Sequence, residues 1–221
     1  MLARRTTDRH LTKRLSVGIA MWNNTIRRVQ VAPQKSIELS GFFNTTLDEK
    51  VHHKVGNDLR ELPRGIQTLG GVQFDIVGMI QLAGNISKRM TGIIYPEAIK
   101  EISVGEKGQR LHFLQGSAWK SDAGTTIGKY VVHYKDGQSK DIPIVYQENV
   151  VDWWFGPKDM PPANAVVAWK GGNERTRGFD LAIQLYRYTW ENSRSDVEIE
   201  RIDFVTSWVD AAPFLIAATI E

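Results

Sequence analysis

Residues 124–145 read GTTIGKYVVHYKDGQSKDIPIV, and their pattern decides the fold class. Tyr130, Val132 and Tyr134 fall on one face of an extended segment, with Lys129, Val131 and His133 on the other. Successive side chains of a strand point to opposite faces, so a period of two marks a β-strand. Asp136-Gly137 follows at once, and Ile142, Ile144 and Tyr146 then resume the alternation. An Asp-Gly pair between two such runs predicts a β-hairpin, because glycine accepts the positive φ that tight turns need. Gln138, Ser139 and Lys140 are polar too, so the loop can exceed two residues.

The same period extends outward in both directions. Val72, Phe74 and Ile76 alternate up to Gly78, and Leu111 and Phe113 alternate with His112 and Leu114. Residues 165–169 form a short apolar run ended by Gly171-Gly172, and Leu181, Ile183 and Leu185 alternate with Ala182, Gln184 and Tyr186. Val197 and Ile199 share a face, but Ile202 and Phe204 are out of phase with them. That slip of one residue predicts a β-bulge at Glu200-Arg201. Phe214, Ile216, Ala218 and Ile220 supply a final strand. Turn residues punctuate the runs at 62–65, 70–71, 105–108, 156–157, 161–162 and 171–172. Short strands separated by turns, with no long helical period, predict an all-β, antiparallel two-sheet β-sandwich or jelly roll. No Ser/Gly/Pro-rich linker divides residues 36–221, which are read as one domain behind a basic N-terminal arm, 1–35.

Composition sets outer bounds. Of 221 residues, 42% are hydrophobic and 24% charged, which excludes wholesale disorder. The absence of cysteine excludes a disulfide framework, a cysteine nucleophile and Cys-ligated metal sites. The net charge of +3 belongs to the arm, where Arg4, Arg5, Arg9, Lys13, Arg14, Arg27, Arg28 and Lys35 face the acid Asp8. A basic tail can meet an anionic partner, but the remainder carries neither a basic stripe nor a recognition motif, so nucleic acid is not favoured. Leu11, Leu15, Ile19, Trp22 and Ile26 could share one helical face, weakened by Gly18. No small-x-small cleavage pattern follows the short apolar stretch 15–22, so there is no clear signal peptide. No run of apolar residues is long enough for a transmembrane helix.

Four segments carry a family resemblance: 61–78 (ELPRGIQTLGGVQFDIVG), 111–116 (LHFLQG), 124–145 as quoted above, and 185–192 (LYRYTWEN), with the closing runs 202–206 and 212–221. With these the chain resembles galactose-binding-like β-sandwich domains, grouped with novel carbohydrate-binding modules of bacterial proteins. The resemblance covers about residue 36 onward. It implies a jelly roll with ligand-binding loops at one end, in some relatives beside a structural calcium. A calcium ion here would draw on Asp75, Asp180, Asp203 and backbone carbonyls, yet no spaced acidic loop motif appears. Such folds serve many ligands, so the resemblance does not name one.

Sugar recognition needs a flat apolar surface for the ring and planar polar groups for the hydroxyls. Asp152-Trp153-Trp154 offers both, as do Trp169 with Asn173, and Arg187 with Trp190 and Glu191. Trp153 and Trp154 are adjacent and face opposite ways if extended, which places at least one in the core. The competing reading is that these tryptophans are core, in a structural or protein-interaction module of a larger bacterial assembly. Nucleophile-elbow, zincin, Walker and dinucleotide motifs are all missing. Glu148, Asp152, Asp159 and Glu191 could supply a glycosidase pair, but spacing in sequence does not set their separation. His112 and His133, opposite the apolar phase of their strands, could meet across a sheet and hold a metal. The expectation is a non-catalytic module that binds a glycan or cell-surface polysaccharide, with self-association or a protein partner as the alternative.

Overall fold

The computed structural model describes residues 33–48 and 50–221. Residues 1–32, which hold nearly all of the basic arm and its candidate helical face, lie outside the described residues. The strands, in chain order, begin with β1 (Lys35–Ser36), β2 (Gly65–Leu69), β3 (Val72–Ile76) and β4 (Ile80–Gln81), ahead of the short helix α1 (Asn85–Thr91). Four longer strands follow: β5 (Ala98–Glu106), β6 (Arg110–Ala118), β7 (Thr126–Tyr134) and β8 (Ser139–Val145). Then come β9 (Trp154–Phe155), β10 (Ala165–Gly171), a single helical turn α2 (Glu174–Arg177), β11 (Ala182–Glu191), β12 (Ile199–Thr206) and β13 (Ala212–Ile220).

These strands form antiparallel sheets. The larger runs β1-β13-β6-β11-β10, with β4 also on β13 and β9 also on β11. The smaller runs β5-β12-β7-β8, and β2-β3 is a separate hairpin. The Asp-Gly hairpin joins β7 to β8. Gly137 has φ +86° and donates to Tyr134 O at 2.9 Å, and Tyr134 N donates back to Gln138 O. The loop is therefore three residues with glycine in the left-handed position, the geometry of a bulged hairpin. The predicted bulge is also present. Pairing of β12 with both neighbours shifts between Ile199 and Arg201, which lets Ile199 and Ile202 both face the core.

The inner faces of the two sheets enclose one apolar cluster. Leu111 and Phe113 of β6, Tyr186 of β11, and Leu215, Ala218 and Ile220 of β13 meet Tyr130 and Val132 of β7, and Ile202 and Phe204 of β12. A plain two-layer arrangement would leave the outer face of the large sheet polar. Here that face is covered as well. Leu114, Ile183, Leu185, Phe214 and Ile216 form a second cluster with Val72, Phe74 and Ile76 of the β2-β3 hairpin and with Leu47, Leu59 and Leu62 of the preceding loops. Double-sided cover explains why all nine residues of β13 are buried, since a strand covered on both faces reads as a continuous apolar run. The hairpin itself turns through Gly70-Gly71, both at positive φ, as a two-residue turn of the primed type requires.

The expectation that His112 and His133 meet across a sheet is corrected by the topology. His112 lies on β6 and His133 on β7, in different sheets, so they do not meet. His112 donates from Nε2 to Glu221 Oε2 at 3.0 Å, and Thr189 Oγ1 sits 2.9 Å from its Nδ1. His133 is 3.0 Å from Asp203 Oδ2.

Candidate functional site

A cavity of about 160 Å³ opens where five separate segments converge. The first is residues 51–57. A short 3₁₀ turn there places His52 at φ +57°, and its Nε2 donates to the buried Oε1 of Gln81 at 3.2 Å. The second is the end of β6, where Ala118 leads into Trp119, held at φ +64°. The third is the stretch 152–154, tied to β6 by the Trp153 N–H, which donates to Ser117 O at 2.8 Å. The fourth is Arg175 on α2, and the fifth is Met90 and Thr91 at the end of α1. Positive φ in residues with bulky side chains stores strain of about 1–3 kcal/mol, and such strain gathers at functional sites. Two such residues on one small cavity are the first sign that it is a site.

Its walls are aromatic. The rings of Trp119 and His52 lie 4.5 Å apart at 38°, and Trp153 meets His52 edge-on at 6.3 Å. Trp153 is only 3% exposed and packs edge-on against Phe214 at 5.7 Å, inside the second cluster. It forms the floor. Trp119 and Trp154 are half-buried and form the sides. This separates the two adjacent tryptophans as expected, one in the core and one toward the cavity.

Polar groups fix these walls. Trp154 Nε1 donates to Asn57 Oδ1 at 3.1 Å, and Asn173 Nδ2 donates to the same oxygen at 3.2 Å. Asn57 Nδ2 in turn donates to Val51 O at 3.0 Å. Asn173 is buried, caps α2 by accepting from Thr176 N, and donates to Asp58 O at 3.0 Å. It therefore reaches the site through Asn57 as a positioning residue.

Asp152 is the one carboxylate lining the cavity among the described residues. Its Oδ1 accepts from Trp154 N at 3.1 Å. Burial pushes its pKa up to about 7, against the pull of the Trp154 and Trp119 N–H groups and the charge of Lys120. The nearby Asp159 charge raises it further, while Asp159 itself is ion-paired with Lys120. The neighbouring phenols are also shifted by burial: Tyr146 rises to about 12, and Tyr186 rises strongly. At neutral pH, Asp152 is thus divided between a neutral acid that can donate a hydrogen bond and a carboxylate that can only accept.

The other residues singled out from the sequence lie elsewhere. Trp169 on β10 is half-buried against the edge of the second cluster, folded over Gly171. Trp190 borders the inter-sheet core. Glu191 pairs with Arg110 at 2.9 Å, next to the Arg110–Glu221 pair. Arg187 lies opposite Leu114 and Val166 in the large sheet, its Cβ near Gly70 of the hairpin turn, and its buried Nε has no acceptor. The structure therefore brings Asp152, Trp153 and Trp154 together, with Asn173 behind them. It does not add Trp169, Arg187, Trp190 or Glu191 to that cavity. Conversely, His52, Asn57, Trp119 and Arg175 line it without having been flagged. Trp119 had a local signal, as an aromatic following a long strand and preceding the Ser-Asp-Ala-Gly turn 121–124.

Among the described residues no three His, Asp or Glu side chains cluster as metal ligands. Of the aspartates considered for calcium, Asp203 is engaged by Glu101 N and His133. No described helix is long and apolar enough to cross a membrane. No protein-family model matches the chain, and a search of curated proteins finds no match to it.

Proposed function

We propose that the chain is a non-catalytic carbohydrate-binding module of the galactose-binding-like, jelly-roll kind, and that the cavity beside Trp119 and Trp154 receives one sugar ring. The observation that carries this reading is the pairing of two half-buried tryptophan rings with Asp152 and Asn57 around a cavity of about 160 Å³. Water occupies about 30 Å³ in the liquid, so the space equals roughly five waters, the scale of one six-membered ring with its substituents. Indole faces offer apolar area at little entropic cost, and Asp152 can bond hydroxyls as acceptor or donor. A catalytic role has less support. A glycosidase needs two carboxyl groups about 5–10 Å apart across the bond it cleaves, and Asp152 is the single lining carboxyl among the described residues.

A glycan array on the folded protein, followed by calorimetry, tests the reading. Binding of at least one sugar, lost in Trp119→Ala and Trp154→Ala, is the expected result. No binding across the array by a protein with a cooperative melt would reject it, and would favour the protein-interaction alternative.

A further inference from the structure

Two cations line this cavity with no partner among the described residues. Lys54 and Arg175 are both exposed, and neither lies within ion-pairing distance of a carboxylate among the described residues. Acids are close at hand in sequence. Arg177 pairs with Glu61, and Arg60 pairs with Asp58 at 3.4 Å. Glu174 precedes Arg175 directly, but its side chain folds against Gly56. Among the described residues the cavity lining thus holds two cations without an ion pair, Lys54 and Arg175, against one carboxyl group, Asp152. Unpaired cations beside a low-dielectric concavity focus a positive potential into it and favour an anionic ligand.

We infer that the sugar this cavity selects carries a carboxylate, that is, a uronic acid residue, with its carboxyl group held by Lys54 and Arg175 and its ring against Trp119 and Trp154. The inference rests on the glycan reading above. Arg175 offers the planar fork that matches a carboxylate with two parallel hydrogen bonds, and Lys54 adds a mobile point charge. A uronate gives both groups their missing partner, while a neutral hexose leaves them solvated. Asp152 would oppose an anion if ionised. In its neutral form it donates a hydrogen bond instead, so a bound uronate and a protonated Asp152 support one another. The groups facing Asp152 are the Trp119 and Trp154 N–H donors, Lys120, Asp159, Tyr146 and Tyr186. Binding of the uronate should therefore weaken as pH rises through 7 and Asp152 loses its proton.

The test is calorimetry of the full chain with methyl galacturonoside and methyl glucuronoside, with their neutral methyl galactoside and glucoside counterparts, and with cyclohexanecarboxylate. At least one uronoside should bind about tenfold or more tighter than its neutral counterpart at low salt. The double variant Lys54→Gln/Arg175→Gln should abolish that preference and melt like the parent. Equal or tighter binding of the neutral sugars, or a preference untouched in the double variant, overturns the inference and leaves the glycan reading standing. Cyclohexanecarboxylate binding as tightly as the uronosides overturns the sugar identity, and binding of no ligand overturns both readings.

Discussion

The ring of Phe113 on β6 lies flat on the ring of Tyr130 on β7, with centroids 3.8 Å apart and planes 5° from parallel. This contact joins the two sheets at their centre. Phe204 continues the stack beyond Tyr130 at 5.0 Å. The phenol is held as well: Tyr130 Oη donates to Gln115 Oε1 at 2.7 Å, and Gln115 Nε2 donates to Asn149 O at 3.2 Å. Tyr130→Phe keeps the stack but leaves a buried amide oxygen without its donor, a loss of about 1–3 kcal/mol. Phe113→Ala empties the junction and should lose about 3–5 kcal/mol. Urea unfolding of both variants measures the order, and a smaller loss at Phe113 than at Tyr130 would contradict it.

The tryptophans of the cavity should separate stability from binding. Trp153→Ala hollows the floor of the second cluster and should cost about 3–5 kcal/mol. Trp119→Gly removes a wall but also places glycine at a φ of +64° that tryptophan tolerates poorly. Its stability should change by less than about 1 kcal/mol while sugar binding is lost. Paired thermal melts and titrations check both halves.

Asp152 makes stability depend on pH in a defined direction. Its folded pKa of about 7 exceeds the ordinary unfolded value near 4 because burial disfavours the ion. The native state therefore binds the proton more tightly. The favourable contribution of the neutral acid is full below about pH 4 and is lost progressively up to about pH 7. At about 1.4 kcal/mol per pKa unit the whole effect is on the order of 4 kcal/mol. Asp152→Asn keeps an acceptor for Trp154 N and cannot ionise, so its advantage over the parent should grow from pH 5 to pH 8. A stability difference that is equal at both pH values would refute the assignment.

Two glycines should fail for different reasons. A Cβ on Gly116 would sit 2.3 Å from Cζ of Phe214, so Gly116→Ala overpacks the large sheet and should cost about 1–3 kcal/mol or more. Gly137 has open space around it but a φ of +86°, so Gly137→Ala should lose about 1 kcal/mol through backbone strain alone. Gly116→Ala combined with a smaller residue at 214 should recover part of its loss, whereas no repacking should rescue Gly137→Ala.

Local patterns made much of this fold legible. Alternation with Asp136-Gly137 gives β7-β8, and the phase slip between Ile199 and Ile202 gives the bulge in β12, because both signals lie within a few residues. The cover on the outer face of the large sheet was not legible. A strand buried on both faces loses the period of two, so β13 reads the same whether one or two layers meet it. The cavity was half legible: Asp152, Trp153 and Trp154 are contiguous, but His52, Trp119 and Arg175 come from segments far apart in the chain. Arg187, Trp190 and Glu191 look like a site because alternation places aromatic and charged residues side by side on any strand that crosses from core to edge.

The burial of β13 has a consequence for synthesis. It sits in the interior of the large sheet, between β6 on one flank and β1 and β4 on the other, yet it follows every other strand in the chain. A ribosome delivers residues from the N-terminus, so strands from β1 to β12 emerge before the strand that must separate them. Until residues 212–220 arrive, the apolar faces of β6 and of the β2-β3 hairpin have no occupant for that slot. The large sheet therefore closes only after translation of β13, and until then the nascent chain carries a hydrophobic gap between β1 and β6.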